Sequence, residues 1–314
     1  MSAPVEPQNA PSRLAKLWQS DIAYSFRQSP VTMVAAAVAL LIIGAAVFAP
    51  LVAPYDPFDP ATLNLMDGFT APMEPNAFTG NTYWLGTDDQ GRDVFSAILY
   101  GSRISLMVGA LAVSFAVVLG TFIGLMSGYI GGWVDAFIMR IADIQLTFPS
   151  ILIALLVFGI ARGFVPPEYR EEMAIWVLII SIGLSDWVQF ARTVRGATLV
   201  EKNKEYVQAA KMMGISPFLI MVRHLLPNVL GPVLVIATIS LALAIIAEAT
   251  LSFLGVGVPP TQPSLGTLIR IGQGFLFSGE WWIILFPSLT LLALALSVNL
   301  LGDWLRDALN PKLR

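Results

Sequence analysis

Two carboxylates interrupt stretches that are otherwise apolar: Asp186 within Met173 to Phe190, and Glu248 within Val229 to Val256. An acid in hydrocarbon must be compensated, which makes each a candidate for the wall of a translocation path. Neither segment supplies the second carboxylate and basic partner of a proton relay. Asp186 lies toward one end of its segment, within reach of water and Arg192, and reads first as a solvated residue. Glu248 reads equally as the lining of a water-filled path or as the centre of a buried hydrogen-bond network. His224 is the single histidine and there is no cysteine, so a multi-histidine or thiolate metal site within these 314 residues is excluded. The stretch GTDDQGRD, residues 86 to 93, has an acid-rich look but lacks the alternating ligand spacing and distal glutamate of a calcium loop. A turn followed by a helix cap is expected there, and no metal is expected.

The elements that must carry these residues are membrane spans. Hydrophobic residues make up 56% of the chain and charged ones only 12%, against about 25% charged in soluble domains. The fold class expected is an all-α integral membrane protein with six transmembrane helices. The spans are 31–53, 104–127, 144–160 with an amphipathic entry over 134–143, 173–190, 229–256 and 281–301. In that entry Arg140 and Asp143 are expected on one helix face. The first apolar run exceeds a signal h-region and about 30 residues precede it, so it is expected to be retained. This divides the chain into an N-terminal segment 1–30, a first span 31–53, an external loop 54–103, a five-helix core 104–301 containing a cytoplasmic loop 192–227, and a tail 302–314.

Charge orients the bundle. With the N-terminus inside, thirteen Lys and Arg fall on the cytoplasmic side and five outside, as the positive-inside rule requires. Both termini are then cytoplasmic. A net charge of −3 offers no case for nucleic acid. Gly120, Gly124 and Gly128 form two overlapping G-x-x-x-G steps, which permit close helix packing in lipid. Trp281 and Trp282 open the last span, where interfacial anchors are expected.

The segment Glu205 to Asn228, EYVQAAKMMGISPFLIMVRHLLPN, is the chemical oddity of the cytoplasmic side. Tyr206, Ala209, Ala210 and Met213 recur at helical spacing, leaving Glu205, Gln208 and Lys211 off that stripe. Gly214 is the expected stop, Ser216 the cap of a second helix and Pro217 its first residue. Phe218, Met221, Val222 and Leu225 continue the pattern, Arg223 and His224 suit a helix C-terminus, and Pro227 is expected to end the run. Small residues at Ala209 and Ala210 suit close seating in a partner. Six basic residues against two acids between Arg192 and His224 equally suit acidic lipid.

This segment resembles the cytoplasmic loop of permeases in ABC importers, whose pattern is E-A-A, three residues, Gly, nine residues, then I-x-L-P. Gln208, Ala209, Ala210, Gly214, Leu226 and Pro227 stand at the matching positions, while Gln208 departs from the acid and His224 from the isoleucine. LGTDDQGRDVFSAILYGSRISL, EATLSFLGVGVPP and DWLRDALNPKLR also resemble the second permease subunit of dipeptide and oligopeptide importers. The resemblance implies a permease bundle with a cytoplasmic coupling helix in the bacterial inner membrane. Glu205, Tyr206, Gln208, Ala209, Ala210, Gly214, Ser216, Pro217, His224, Leu226 and Pro227 are the residues expected to couple it to an ATPase. The implied partners are a second permease forming a heterodimer, two cytoplasmic ATPase subunits and an external binding protein, besides membrane lipid. The chain has no G-x-x-x-x-G-K-[ST], so ATP and Mg are expected on the ATPase partners, with no cofactor and no catalysis here. Substrate choice is expected to reside in the binding protein, leaving dipeptides, oligopeptides, nickel chelates, glutathione and sugars as alternatives. The rival functions are an ion-coupled secondary transporter and a membrane scaffold that moves no solute.

Overall fold

The computed structural model describes residues 21–59 and 63–309, without side-chain burial for 21–23 and 309. Arg13, Lys16, Lys312 and Arg314, counted above for orientation, lie outside the described residues. In chain order the helices are α1 (Asp21–Gln28), α2 (Pro30–Val47), α3 (Ala49–Val52), α4 (Val94–Ile130), α5 (Gly132–Leu146), α6 (Ser150–Phe164) and α7 (Arg170–Glu201). Then come α8 (Glu205–Met212), α9 (Pro217–Leu219), a π-helical turn (Ile220–Leu225), α10 (Leu226–Phe253), α11 (Leu265–Gln273) and α12 (Trp282–Leu309). No strand longer than an isolated bridge occurs among the described residues.

Among the described residues, five stretches are each long and apolar enough to cross a membrane, and α5 with α6 makes a sixth if that pair, bent by 101°, is one span. The expected third span is therefore broken at Thr147 to Pro149 rather than straight. Pro149 lacks a backbone N–H to continue α5, and its ring keeps Phe148 out of helical geometry. Helices also outrun the apolar segments that mark them. The helix of the second span begins at Val94, ten residues before the expected start of that span at Ile104, and the fourth continues to Glu201 instead of ending near Phe190. Hydropathy marks only the stretch that tolerates hydrocarbon, whereas backbone hydrogen bonding carries a helix on into water.

The glycine stripe on α4 is the seam against α7. A methyl carbon placed on Gly120 would lie 2.5 Å from the Trp187 carbonyl oxygen, one on Gly124 2.5 Å from that of Ala191, and one on Gly128 2.8 Å from Thr198 Cβ. Side chains are thus absent where the backbones meet, which supplies the packing that drives helix association in lipid. One core joins α4, α6, α7 and α10 through Val108, Phe158, Leu178, Ile182, Phe190 and Leu251. A second joins α4, α10, α11 and α12 through Val94, Ile98, Ile245, Leu265 and Leu294.

At the end where α4 begins, Asp93 caps it, accepting from Ser96 N at 2.9 Å. Asp88 forms a buried ion pair with Arg92 at 2.6 Å. GTDDQGRD is accordingly a turn and a cap. Trp282 belongs to the core rather than to an interfacial belt: it is buried and donates from Nε1 to the Thr87 carbonyl at 3.0 Å. Trp281 beside it stays exposed.

Candidate functional site

The opposite end of the bundle carries residues 202–228. Its approach is braced by charge. Arg195 binds Asp135 through two nitrogens at 2.5 and 2.6 Å, and Lys202 Nζ donates to the Gly128 carbonyl at 2.7 Å, tying the end of α7 to the end of α4. Arg192 pairs with Asp143, so it is not the partner of Asp186, while Arg140 and Asp143 share a face of α5 as expected.

The chain then makes the expected helix, turn and helix. Gly214 holds φ +74°, and the N–H groups of Gly214 and Ile215 donate to the carbonyls of Lys211 and Ala210 at 3.0 and 3.2 Å. That arrangement satisfies the last carbonyls of α8 and requires a residue without Cβ. Ser216 Oγ accepts from Leu219 N at 3.4 Å, with Pro217 as the first helical residue. Pro227 does not end the helix. The ring of a proline clashes with the carbonyl four residues back, here that of Arg223, and the widened π-helical turn over Ile220–Leu225 accommodates it. Pro217 to Phe253 is consequently one continuous rod of 37 residues.

The buried face of α8 differs from the expected stripe. Val207 and Ala210 point inward, together with Ile220 and Leu225 of the following turn, while Tyr206, Ala209, Met212 and Met213 are exposed. In a helix of eight residues both readings have similar apolar periodicity, and only the packing against the bundle chooses. Met212 is 86% and Met213 71% exposed. With Ala209 and Phe218 they form an apolar ridge on a scaffold whose underside is filled.

A polar clamp closes the base of this loop. Tyr206 OH donates to Glu201 Oε1 at 2.6 Å, Asn228 Nδ2 donates to Tyr206 OH at 3.1 Å and to the His224 carbonyl at 2.7 Å, and Lys204 pairs with Glu201 at 2.8 Å. Burial, reinforced by the Glu201 carboxylate, pushes the Tyr206 phenol up to about 12, so it remains a protonated donor at neutral pH. Lys211 Nζ stands 5.3 Å from the Tyr129 ring centroid, a further tie to α4. Glu201, Lys204, Val207 and Asn228 were not among the residues marked from sequence. Glu201, Tyr206 and Asn228 meet only because the loop folds back, and no helical spacing signals it.

The remaining marked residues fall in different roles. Glu205 is exposed in the first turn of α8, where its charge suits the helix dipole. Gln208 turns back on its own loop, donating to the Lys202 carbonyl at 3.1 Å. His224 is half-buried inside the rod rather than at a helix end, so its expected dipole role falls away. Leu226 packs on the core and Pro227 is exposed.

The two intramembrane acids are not neighbours in role. Glu248 is fully buried and accepts from Ser105 Oγ and Ser252 Oγ, each at 2.7 Å, while Ser105 Oγ accepts from Leu265 N at 3.2 Å. The hydrogen-bond network, of the two readings left open, is the one built around it. Asp186 lies within α7, whose helix runs on past the apolar stretch, and lines an open recess of about 500 Å³ between α6, α7 and α10.

These features agree with what the chain is similar to. The family described as binding-protein-dependent transport system inner membrane component matches residues 120–314, and the N-terminal TM domain of oligopeptide transport permease C matches residues 16–72. The dipeptide transport system permease protein DppC of Haemophilus influenzae is 36% identical over 93% of this chain and 94% of its own length. The oligopeptide transport system permease protein OppC of Bacillus subtilis is 36% identical over 95% and 90%, and the glutathione transport system permease protein GsiD of Pectobacterium atrosepticum 37% over 92% and 89%. In fold, the inward-facing MetNI methionine ABC transporter aligns with a TM-score of 0.52 at 19% identity, covering 68% of this chain and 96% of that one. The chain belongs to the binding-protein-dependent transport inner membrane permeases and is of the DppC/OppC-like type.

Proposed function

We propose that this chain forms one half of a path for di- or oligopeptides in an ATP-driven importer, with residues 205–227 as the seat of a cytoplasmic ATPase subunit. The observation that carries the proposal is the apolar ridge of Ala209, Met212, Met213 and Phe218, exposed on a helix–turn–helix whose own interior is already filled and hydrogen-bonded. A surface braced in this way, and left apolar in water, suits a protein partner that completes it. Relatives named for dipeptides, oligopeptides and glutathione support peptide cargo.

The remaining parts follow from that reading. A paralogous second permease encloses the path, an external binding protein delivers the peptide, and two ATPase subunits hold ATP and Mg while this chain performs no catalysis. Both termini face the cytoplasm. Closure of the ATPase pair displaces the ridge, the rod Pro217 to Phe253 carries that displacement into α10, and the Tyr206 clamp carries it into α7. Only a displacement whose energy differs between the inward and outward states drives the change.

The test uses the assembled transporter in proteoliposomes with peptide-loaded binding protein. Ala209→Trp places bulk on the exposed ridge and is expected to lower uptake and ATPase stimulation at least ~tenfold, a loss of about 1.4 kcal/mol of coupling, with insertion unchanged. Ala210→Trp is a poor substitute, because Ala210 is buried and the change would distort the scaffold itself. Retained uptake and stimulation in Ala209→Trp would overturn the seat. Uptake abolished by collapsing the proton gradient while ATP is maintained would overturn the ATP-driven importer.

A further inference from the structure

Asp186 lies sixteen residues from the first and fifteen from the last residue of α7, which at about 1.5 Å per residue sets it more than ~20 Å from either end. α7 is longer than the hydrocarbon is thick, and on its apolar stretch 173–190 Asp186 lies four residues from one end, inside the hydrocarbon boundary. At such depth an acid pairs with a cation or faces water. Its own chain supplies no ion pair for it among the described residues, and the two arginines that follow on α7 are engaged, Arg192 by Asp143 and Arg195 by Asp135.

The wall around it is built. Gln145 at the end of α5 donates from Nε2 to the carbonyls of Leu184 and Ser185 at 2.9 and 3.0 Å, and its Oε1 accepts from Trp187 Nε1 at 2.9 Å. This strap holds the α5–α6 bend against α7 on both sides of Asp186 in sequence, and α6 then forms the facing wall of the recess from Ser150 onward. Besides the carboxylate, the polar side chains lining the space, Ser150, Ser185, Gln189 and Thr250, are neutral and each carries an oxygen acceptor. Thr250 engages its hydroxyl proton on the Ile246 carbonyl at 2.7 Å, and Gln189 engages one Nε2 proton on Ser240 Oγ at 2.9 Å, which leaves Gln189 Oε1 and the Thr250 lone pairs able to accept. Ala154 and Ala247 keep the rest of the space apolar and roomy.

A recess offering a carboxylate and neutral acceptors recognises a group with several donors, positive charge and no lone pair, which is an ammonium. We infer that Asp186 binds the N-terminal ammonium of a peptide in transit, and that this recess is a station on the path. The inference rests on the importer reading and deepens it, naming as cargo peptides with a free amino terminus. The ammonium is common to all such peptides whatever their side chains, so one carboxylate serves a path that must pass many sequences.

The chain has no cysteine, so one introduced at the recess is its only thiol. Thr250→Cys, with Ser150→Cys as the second reporter should the first fail to insert, is exposed in the assembled transporter to a cationic and to an anionic methanethiosulfonate reagent. Mass spectrometry of this chain reads the label. The cationic reagent is expected to react about tenfold faster, the equivalent of a pairwise attraction in a partly wet site. The preference is expected to vanish in Asp186→Asn and to return in Asp186→Glu. Alanyl-alanine amide is expected to slow labelling, and its N-acetyl form to leave it unchanged. Equal rates for both reagents, absence of labelling at both reporters because the partner permease covers the recess, or protection by the N-acetyl form would each overturn the inference. ATP-driven uptake in the same wild-type preparation separates the two failures: if uptake persists while the preference is absent, only the role of Asp186 falls.

Discussion

The two ends of this bundle are finished in opposite ways. Where α4 begins, polar groups are satisfied from within. Asp67 is buried and its carboxylate accepts from Thr79 Oγ1, from Asn81 Nδ2 at 3.2 Å and from Tyr83 OH at 3.1 Å, while its carbonyl accepts from Thr70 Oγ1 at 2.7 Å. Glu248, Ser105, Ser252 and Leu265 form a second closed network among the helices. Where α7 ends, the polar groups serve only as a brace, and the apolar groups Met212, Met213 and Phe218 are turned outward. The first end also exposes apolar side chains, Met73, Phe78 and Phe277 among them, so the contrast lies in the polar groups: buried and mutually satisfied at the first end, part-exposed and bracing a loop at the second. Substitutions at the first should therefore act on folding, and substitutions at the second on coupling.

Glu248→Ala tests the closed end most severely. It leaves two serine hydroxyls without their acceptor and opens a cavity at a fully buried position, at a cost of about 3 kcal/mol or more. Thermal unfolding of the purified protein in detergent reads this, and Glu248→Gln, which keeps an acceptor and the volume, should recover most of the loss. An unfolding temperature unchanged in Glu248→Ala would break the comparison at its strongest point. Asp67→Ala comes next. It strips the acceptor from three donors in the cap, two of them part-exposed and able to turn to water, so about 2 kcal/mol is expected. In the same measurement Asp67→Asn should fall between it and the wild type.

Tyr206→Phe moves to the other end and sharpens the contrast. Losing the hydroxyl removes bonds to Glu201 and Asn228, a stability cost of about 1 kcal/mol because water replaces them at a part-exposed site. Transport should suffer more than folding, with peptide-stimulated ATPase activity retained and uptake per ATP reduced several-fold, since the ridge would then drive α10 without α7. Equal loss of stability and uptake per ATP would reduce the clamp to a structural tie.

Much of this contrast was legible in sequence, and the parts that were not share a cause. Gly120, Gly124 and Gly128, Gly214 with Ser216 and Pro217, and the Asp93 cap each declare themselves through a local backbone requirement that few residue types meet. The inward face of α8, the passage of the helix through Pro227 and the run of α7 past Phe190 have no such local mark. Val207 and Ala210 face inward because Ile220 and Leu225 come to lie beside them in one core. Pro227 is tolerated because the turn before it widens. The apolar stretch that holds Asp186 stops at Phe190, whereas the helix runs on to Glu201 with Arg192 and Arg195 paired to Asp143 and Asp135. Each depends on backbone or packing context that residue spacing alone does not mark.

Met213→Asp is the mildest change to the fold and the most direct test of the open end. Met213 is exposed, and its nitrogen alone binds back, to the Ala209 carbonyl at 3.0 Å. A polar replacement there should alter unfolding by less than about 0.5 kcal/mol. A carboxylate on the ridge would nonetheless have to be desolvated whenever a partner covers it, and a buried unpaired charge is costly. Copurification of the ATPase subunits with the tagged permease should therefore be lost, while membrane insertion and the unfolding temperature hold. Were the ridge instead a lipid-facing surface, ATPase copurification would survive the change and partition of a peptide spanning 205–227 into acidic vesicles would weaken. That pair of results would sink the claim that this end is shaped for a protein.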